Sequence, residues 1–408
     1  MKNYLPEYHC KSVRSIDELN HQDWNRLCGN PSDGLMDLDF LGSVEATMSD
    51  VSDFWFVICY EKTTPVACAC FSTFELDASI FMPTWAKNGI NFFRRVMSGY
   101  LKLSVLFCGL PVSVGENHLR ISVQADTNRV LAALDKETQR IARLARSWII
   151  IFKEFGESDA SRLQCLEDRG YVQADSLPTN IFPFQFDNLD DFSASLRSHY
   201  RYKINRSRKK FSAAGLRVEH ILDPQRIINV YTPQVHQLYE GVEHRSEYRV
   251  ETLPYSFFLQ LAKRMPGKVS LTTIFDGDEV VGFAWGLSTG TAYRDMFVGY
   301  NPELNDRCDL YFNLMMHDLE FALRSGANHI AFGQTADCFK SRLGCVQENR
   351  RIFVKGASTW FHNLIRIFYG LIFPPFNAAP PRDLFRDVKL ETRSPIPESE
   401  TNSFVTLA

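Results

Sequence analysis

The two halves of the chain repeat one order of predicted elements, and this repeat constrains the fold more strongly than any single motif. In the first half, two runs of β-branched and aromatic residues, Asp53–Tyr60 and Val66–Phe74, flank a polar turn and predict a hairpin. Apolar residues at helical spacing then predict a helix over Thr127–Ala145, and a short apolar strand follows at Trp148–Phe152. A hairpin followed by a helix and a strand is typical of an α/β unit.

The second half shows the same order, with an Asp-Gly-Asp turn between its first two strands. Its predicted strands and helix are, in chain order, Val269–Phe275, Glu279–Leu287, Thr291–Tyr300, Leu310–Arg324 and His329–Gly333. We therefore predict a duplicated α/β (α+β) fold, in which each of two tandem domains has a mixed, mainly antiparallel sheet flanked by helices.

The length and the junction between the repeats predict the domain boundaries. A chain of 408 residues suits two or three domains. The polar, proline-containing segment Asn180–Asp191 separates the repeats, so we predict domains over residues 1–187 and 188–370. Residues 371–408 are rich in Pro, Ser and Glu without apolar periodicity, which predicts a flexible tail.

Charge and cysteine content limit the classes of function. The net charge of −3 excludes a general nucleic-acid binder, so attraction to anions must come from local clusters. The ten cysteines include no Cys-x-x-Cys pair, which favours reduced thiols in a cytoplasmic protein without a structural metal. The N-terminal residues lack the apolar core of a secretory signal.

The most apolar stretches are interrupted by charge. Lys102 lies in one and Arg366 in another, so we predict no integral membrane segment. The aromatic segment Trp360–Phe376 is amphipathic and is predicted to be a helix packed on the core. Contact with a membrane surface is the alternative for this segment.

The densest charge feature is the segment Arg197–Lys210, which holds seven basic residues and no acidic one. As a helix it has an apolar stripe from Leu196 to Phe211 between two basic faces, one with Arg201 and the other with Lys203. We predict that Arg201 and Lys203 bind an anionic donor, either its phosphates or an RNA backbone. A solvated basic helix without a ligand is the alternative.

A strand, a polar loop and a helix are predicted in succession over Tyr293–Phe321. The loop Asn301–Asp309 opens the helix, whose N-terminal N–H groups favour phosphate. Arg307 in this loop can add a charge-assisted contact to the anion. Asp309 is predicted to be the N-cap of the helix.

Two further polar segments carry candidate site residues. After the strand that ends at Gly333, Lys340 and Arg342 lie where α/β folds often place their sites, and we predict that they bind an anionic group. The segment Tyr239–Arg249 offers Glu240 as the base that an attacking amine requires. Ordinary surface loops are the alternative for both segments.

Five short motifs follow a specific order in the second half, and the first half has two more. They are the basic helix Leu196–Arg208, the strand start Gly215–Val218, the strand Tyr293–Gly299, the helix start Leu310–Phe312, Gly-x(6)-Lys-x(3)-Gly from Gly333 to Gly344, and in the first half Gly170-Tyr171 and Leu189–Phe192. This order resembles the GNAT-fold domain of Fem-type peptidoglycan aminoacyltransferases and of related FemAB-like acetyltransferases. The resemblance covers about Ser15 to Trp360, and the Asn301–Asp309 loop departs from the glycine-rich loop usual in GNAT domains.

The resemblance implies two tandem GNAT-like domains and an N-acyltransferase activity centred on the second. It implies that an acyl group passes from acyl-CoA to a small-molecule or peptide amine, with Tyr293 and Asp295 at the reacting centre and Lys340 and Arg307 on the donor. Two alternatives stay open. One is a Fem-like aminoacyltransferase that uses aminoacyl-tRNA, and the other is a GNAT-fold binding protein without catalysis.

Overall fold

The computed structural model describes residues 8–28, 33–77, 102–112, 114–245, 252–334, 337–367, 369 and 382–386. The strands of the first half are β1 (Tyr8–Val13), β2 (Phe54–Glu61), β3 (Thr64–Asp77), β4 (Lys102–Cys108), β5 (Leu119–Ile121), β6 (Ile149–Phe155) and β7 (Val172–Pro183). Its helices are α1 (His21–Cys28), α2 (Leu38–Met48), α3 (Thr127–Leu144) and α4 (Glu157–Arg162), with 3-10 helices at Ile16–Glu18 and Gln164–Arg169.

The second half continues with more helices before its hairpin. Its strands are β8 (Arg217–Ile221), β9 (Val269–Asp276), β10 (Glu279–Thr289), β11 (Ala292–Tyr300), β12 (His329–Ala331) and β13 (Val346–Gly356). Its helices are α5 (Leu189–Ser195), α6 (Ser198–Ala213), α7 (Pro224–Val230), α8 (Pro233–Arg245), α9 (Tyr255–Arg264), α10 (Pro302–Cys308), α11 (Leu310–Arg324), α12 (Asp337–Leu343) and α13 (Thr359–Ile367).

The described strands form one sheet in which each half lends its last strand to the other. The order is β1-β2-β3-β4-β6-β13-β7-β12-β11-β10-β9-β8, with β5 on β3. Strand β7 closes the first half in sequence but pairs with β12, whereas β13 closes the second half and pairs with β6. The two exchanged strands also pair with each other at the centre. The halves are thus related by an approximate two-fold arrangement of strands, as a duplication requires.

Helices cover both faces of the sheet, and the inner face carries a core shared by the halves. Phe40 of α2 packs edge-on against Phe257 of α9 with their rings 6.4 Å apart, and Trp285 of β10 is fully buried in the same core. On the outer face, α3 covers the first half and α6, α11 and α12 cover the second. This shared core joins the two halves on the inner face of the sheet, opposite the face of β11 that carries Tyr293.

Most of the predicted elements are confirmed, and α11 has both of its predicted ends. The predicted loop Asn301–Asp309 is wrong, because Pro302–Cys308 forms α10 with the side chain of Asn301 as its N-cap. Asp309 is at the predicted N-cap position of α11, but its side chain makes no capping hydrogen bond. It adopts a left-handed conformation with φ of 54°, and its carboxylate pairs instead with Lys210.

Other predicted loops are also ordered elements. The polar segment after Gly333 forms α12, and Glu240 lies on α8 rather than on an exposed loop, although residues 246–251 lie outside the described part. The predicted junction from Asn180 begins inside β7. The division at residue 187 stays a prediction. Of the predicted tail, residues 382–386 are described, and Leu384 is buried there.

The prediction of reduced thiols is wrong for one pair, since Cys10 and Cys59 form a disulfide. They are directly opposite each other on the antiparallel strands β1 and β2, a register that spacing alone does not reveal. Among the described residues, no group of His, Cys, Asp or Glu side chains is placed to hold a metal ion. Within the same residues, every helix is too short or too polar to cross a bilayer.

Candidate active site

Strand β11 directs two predicted catalytic residues to the outer face of the sheet. The hydroxyl of Tyr293 donates a hydrogen bond of 2.8 Å to Asp318 of α11. Asp295 lies two residues further along and shares this face, since side chains alternate along a strand. On the opposite face, the ring of Phe297 packs 6.1 Å from Phe257 in the inner core. Both predicted residues therefore lie beneath α11.

Strands β11 and β12 separate next to Asp295. They pair in parallel over only Ala292–Arg294 and His329–Ala331. Beyond these pairs the chain after β12 follows β7 instead, and Phe332 N donates to the carbonyl of Asn180 at 2.9 Å. No described strand pairs with this edge of β11 after Arg294, so a gap opens between the two parallel strands.

A β-bulge in β11 coincides with this gap. The register with β10 runs from Gly286 opposite Asp295 to Trp285 opposite Phe297, which leaves Met296 as the extra residue. Bulges bend a strand and redirect its side chains and backbone groups. Here the bend lies immediately after the last pair with β12, and it contributes to the divergence of the strands.

A buried hydrogen-bonded group, here named the tyrosine cluster, links β9, β11 and α11; its members are Ser270, Thr272, Tyr293 and Asp318. Tyr293 Oη lies 2.8 Å from Ser270 Oγ, and Thr272 Oγ1 donates to Asp318 Oδ1 at 2.9 Å. The ring of Tyr293 crosses Gly286, where an added Cβ would lie 1.8 Å from the hydroxyl oxygen. Glycine at 286 is therefore required for Tyr293 to reach Asp318.

The two carboxyl groups of the site have raised pKa values. Burial raises the pKa of Asp318 to about 6, although hydrogen bonds from Thr272 and Tyr293 oppose the rise. Burial and the neighbouring charge of Asp318 raise the pKa of Asp295 well above its usual value, and Lys340 opposes this. The surroundings of both side chains therefore favour the neutral form of the carboxyl group.

Lys340 lies at the inner end of the gap. Its side chain is 4% exposed, and its ammonium donates to the carbonyl oxygen of Phe332, just beyond β12. Near it, the ring of Phe339 lies 4.6 Å from that of Tyr311 at the start of α11. Oδ1 of Asp295 is buried without a hydrogen bond among the described residues. The gap therefore brings together an ammonium group, a buried carboxyl group with a raised pKa and aromatic rings.

The basic helix α6 packs beside the start of α11. Its apolar stripe is confirmed, since Ile204 and Phe211 are buried. Asn313 of α11 donates to Ser207 Oγ at 3.2 Å, and Lys210 Nζ lies 3.2 Å from the carboxylate of Asp309. These contacts place the basic segment next to the helix that follows β11.

The predicted anion-binding residues of α6 lie on its two flanks. Arg201 is half-buried on one flank and Lys203 is exposed on the other, and neither forms an ion pair with a described acidic residue. Arg307 is exposed on α10, which packs against α6. Arg342 is exposed on α12. Thus Arg201 and Lys203 lie on α6 and Arg307 lies on the helix packed against it, whereas Arg342 and buried Lys340 lie on α12.

A backbone N–H group in the first turn of α11 is hydrogen-bonded by a side chain of the preceding helix. Asn305 Oδ1 of α10 accepts a 2.9 Å hydrogen bond from Tyr311 N. Helix α10 thus occupies the place of the glycine-rich loop and satisfies one of the N–H groups that such a loop would direct at a phosphate. A bound pyrophosphate at this end would rely mainly on the basic side chains of α6 and α10.

Glu240 does not join the tyrosine cluster. It lies on α8, which covers the inner face, and its side chain is 44% exposed with Oε1 3.7 Å from Nε2 of His236. The sheet separates it from Asp295. The inner face beside β11 also holds a link between the halves, in which Arg294 donates to Glu116 at 2.6 Å.

Sequence reasoning missed Asp318, Ser270, Thr272 and Glu116. A signal existed for Asp318, because it is an acidic residue on the apolar stripe of α11, one helical turn from Leu314 and one from Ala322. Glu116 had no such signal, because its contact with Arg294 joins residues 178 apart in sequence.

Comparisons with known proteins agree with this architecture. Residues 198–341 match the family model of the acetyltransferase (GNAT) domain. FemX is 12% identical, with 88% of this chain and 99% of that chain covered and a TM-score of 0.53. A tandem GNAT protein from the clavulanic acid biosynthesis pathway is 11% identical, with 86% and 99% covered and a TM-score of 0.51. No curated protein sequence matches the chain. The predicted tandem GNAT fold is confirmed.

Proposed function

We propose that this protein, a GNAT-fold acyltransferase, transfers an acyl group from acyl-CoA to an amine by direct attack in the gap between β11 and β12. The divergence of these strands after Arg294 supports the proposal, because it frees one edge of a central strand for a substrate. A thioester placed along that edge meets backbone N–H groups that are not committed to a strand on that side. Such donors stabilise the oxyanion of an acyl-transfer transition state.

The side chains in the gap suit the charge changes of this reaction. As the amine nitrogen forms the new C–N bond, the carbonyl oxygen becomes negative, and then the C–S bond breaks to release the CoA thiolate. Lys340 supplies a fixed positive charge near this point, and Asp295, whose pKa is raised, can donate a hydrogen bond in its neutral form. Both reactants are held in place, so no covalent enzyme intermediate is needed. The amine must also lose a proton, and Glu240, the base predicted from sequence, can accept it only from an amine that enters the gap from the inner face.

Isothermal titration of the full chain with acetyl-CoA and longer acyl-CoAs tests the donor. We expect saturable binding that weakens at least tenfold, about 1.4 kcal/mol, in the Lys203→Ala Arg307→Ala variant, because these side chains would contact phosphate. Lys136→Ala on α3 is the matched control, since Lys136 is an exposed lysine on the other half. If none of the acyl-CoAs binds, the proposed donor is wrong.

A second test addresses the reacting centre. With an amine panel and a donor that binds, Lys340→Ala and Asp295→Asn are expected to lower kcat more than donor affinity, because both side chains act beside the carbonyl. Glu240→Gln is expected to shift the pH dependence of kcat/KM if Glu240 is the base. Unchanged kcat in Lys340→Ala and Asp295→Asn would place the reaction outside the gap.

Aminoacyl-tRNA is a second candidate donor, and the surface of α6 favours it. Arg206, Arg208 and Lys209 are exposed there in addition to Lys203, without ion pairs to described acidic residues. Such a surface suits an RNA backbone, and α10 replaces the loop that would hold a CoA pyrophosphate. RNA contacts predict tRNA binding that falls steeply with salt, by about one power of concentration per phosphate. Salt-independent or absent tRNA binding would exclude this donor.

A further inference from the structure

One end of the sheet carries an exposed apolar surface, at the opposite end of β13 from the proposed site. We name it the tryptophan patch and define it by Leu144, Trp148, Trp360, Leu364 and Ile367. Their exposed fractions are 62%, 47%, 68%, 36% and 75%, respectively. Half of the ten exposed large apolar residues in the described chain belong to it, including both exposed tryptophans. Single exposed apolar residues are common, whereas such a cluster marks a contact surface.

The fold brings the two parts of the patch together. Trp148 precedes β6 and accepts a 2.9 Å hydrogen bond on its carbonyl oxygen from Ala357 N, at the end of β13. Its ring lies 5.7 Å from that of Phe361 on α13. Leu144 ends α3 four residues before Trp148, at the same end of the sheet.

Helix α13 has two apolar faces instead of one. Ile365 is buried against the sheet, as predicted for the segment Trp360–Phe376, of which residues 368 and 370–376 lie outside the described part. Trp360, Leu364 and Ile367 recur at helical spacing on the other side and are exposed. Packing on the core therefore explains only one face of α13, and the second face lacks a described partner.

The surroundings of the patch are basic. Arg143, Arg146 and Arg366 are exposed beside its apolar members. The segments 141–152 and 355–367, which carry the patch, contain no Asp or Glu. The charges that act on His362 of α13 are also basic, since Arg366 and Lys355 add to burial in lowering its pKa.

This combination points to one kind of partner. Tryptophan and arginine next to aliphatic side chains suit the boundary between lipid headgroups and acyl chains, where the rings insert and the guanidinium groups meet anionic headgroups. A second copy of the chain is disfavoured, because a two-fold contact through this patch would oppose arginine to arginine. With 9 residues, α13 can lie on a bilayer and cannot span it.

We propose that the tryptophan patch docks this protein on the surface of a membrane that contains anionic lipid, with α13 parallel to the bilayer. Trp360 and Ile367 insert at the headgroup boundary, and Arg143, Arg146 and Arg366 contact the headgroups. The proposal is independent of the acyl donor, since it concerns a different end of the molecule from the gap between β11 and β12.

Co-sedimentation of the full chain with vesicles tests the proposal. We expect binding to vesicles of phosphatidylcholine with phosphatidylglycerol, weaker binding to phosphatidylcholine alone, and a blue shift of tryptophan fluorescence on the mixed vesicles. Trp360→Ser Ile367→Ser is expected to weaken binding at least tenfold. Arg366→Glu is expected to weaken it on the mixed vesicles only. All of these side chains are exposed, so the variants should keep the thermal unfolding midpoint of the unmodified protein.

Two controls separate the patch from other surfaces. Val123→Ser alters an equally exposed apolar residue outside the patch and should bind as the unmodified protein does. Lys203→Ala Arg206→Ala removes charge from α6 and should retain at least half of the vesicle binding. The proposal is overturned if the protein does not bind the mixed vesicles. It is equally overturned if Trp360→Ser Ile367→Ser binds normally, or if this variant instead abolishes a dimer.

Discussion

Tyr293 and Asp318 join the central strand of the second half to the helix above it through a hydrogen bond of 2.8 Å between two fully buried side chains. The same carboxyl oxygen accepts from Thr272 of β9 at 2.9 Å, so one oxygen of α11 holds two strands. This arrangement fixes the outer face of β11 where Asp295 approaches the gap. The tyrosine cluster thus holds in position the strand that carries the candidate site.

Replacing Asp318 with Asn should change how stability depends on pH. The folded-state pKa of about 6 lies above that of an unfolded aspartate, so the folded protein binds this proton more tightly. The resulting stabilisation is present at low pH and is lost as pH rises from about 4 to about 6. In Asp318→Asn, Oδ1 still accepts both hydrogen bonds and the titrating group is absent.

Urea unfolding between about pH 4 and pH 8 measures this effect. The stability of the unmodified protein relative to Asp318→Asn should decrease as pH rises from about 4 to about 6. Loss of the Asp318 charge should also lower the pKa of Asp295 in the variant, and this too makes the stability difference decrease as pH rises. Parallel stability curves for the two proteins would show that Asp318 titrates normally.

Gly286→Ala should destabilise the protein, because the new methyl group would overlap the hydroxyl of Tyr293. Overpacking of this kind costs about 1–3 kcal/mol of unfolding free energy. Gly241→Ala is the matched control, since that glycine lies within α8 and its nearest neighbour is 3.9 Å from an added Cβ. It should stabilise by about 0.5–1 kcal/mol through helix propensity. Equal effects of the two substitutions would contradict the crossing of Tyr293 over Gly286.

Local sequence was sufficient to predict an element whose own residues form a clear helix, strand or turn pattern. The periodicity of Leu310–Arg324 gave both ends of α11, and the Asp-Gly-Asp turn gave the hairpin of β9 and β10. Helix α10 was missed because its residues are polar, although Asn301 followed by Pro302 is a capping signal. The polar composition of Asn301–Asp309 indicated a loop more strongly than these two residues indicated a helix.

Local sequence patterns did not predict the contacts between segments that are distant in sequence. Tyr293, Asp295 and Lys340 were each predicted, but the approach of Lys340 to Asp295 depends on how α12 folds back over the gap. Glu240 has a suitable side chain but lies on the other face of the sheet. Helical periodicity does not indicate which face of a sheet a helix covers, so this position could not be predicted from the sequence. The exchange of β7 and β13 is likewise a pairing between halves, which no local propensity encodes.

The exchange predicts that β13 stabilises the first half although it belongs to the second in sequence. Phe353 is fully buried and packs 6.2 Å from the ring of Phe155 on β6. Phe353→Ala should therefore cost about 3–5 kcal/mol, and amide exchange should accelerate in β6 of the first half. Val346→Ala on the same strand is the control, since Val346 is 57% exposed. Faster exchange confined to residues after 187 would contradict this coupling.

The disulfide predicts a specific response to reductant. Alkylation of the unfolded, unreduced protein should modify the free cysteines that the structure describes and leave Cys10 and Cys59 unmodified, as peptide mass spectrometry can measure. The bond closes a loop with a sequence separation of 49, so reduction should lower the free energy of unfolding by up to about 4 kcal/mol. Cys10→Ser Cys59→Ser should be insensitive to reductant, whereas Cys165→Ser should respond as the unmodified protein does. Alkylation of Cys10 without reductant would show that the pair is reduced in solution, as the cysteine spacing alone had predicted.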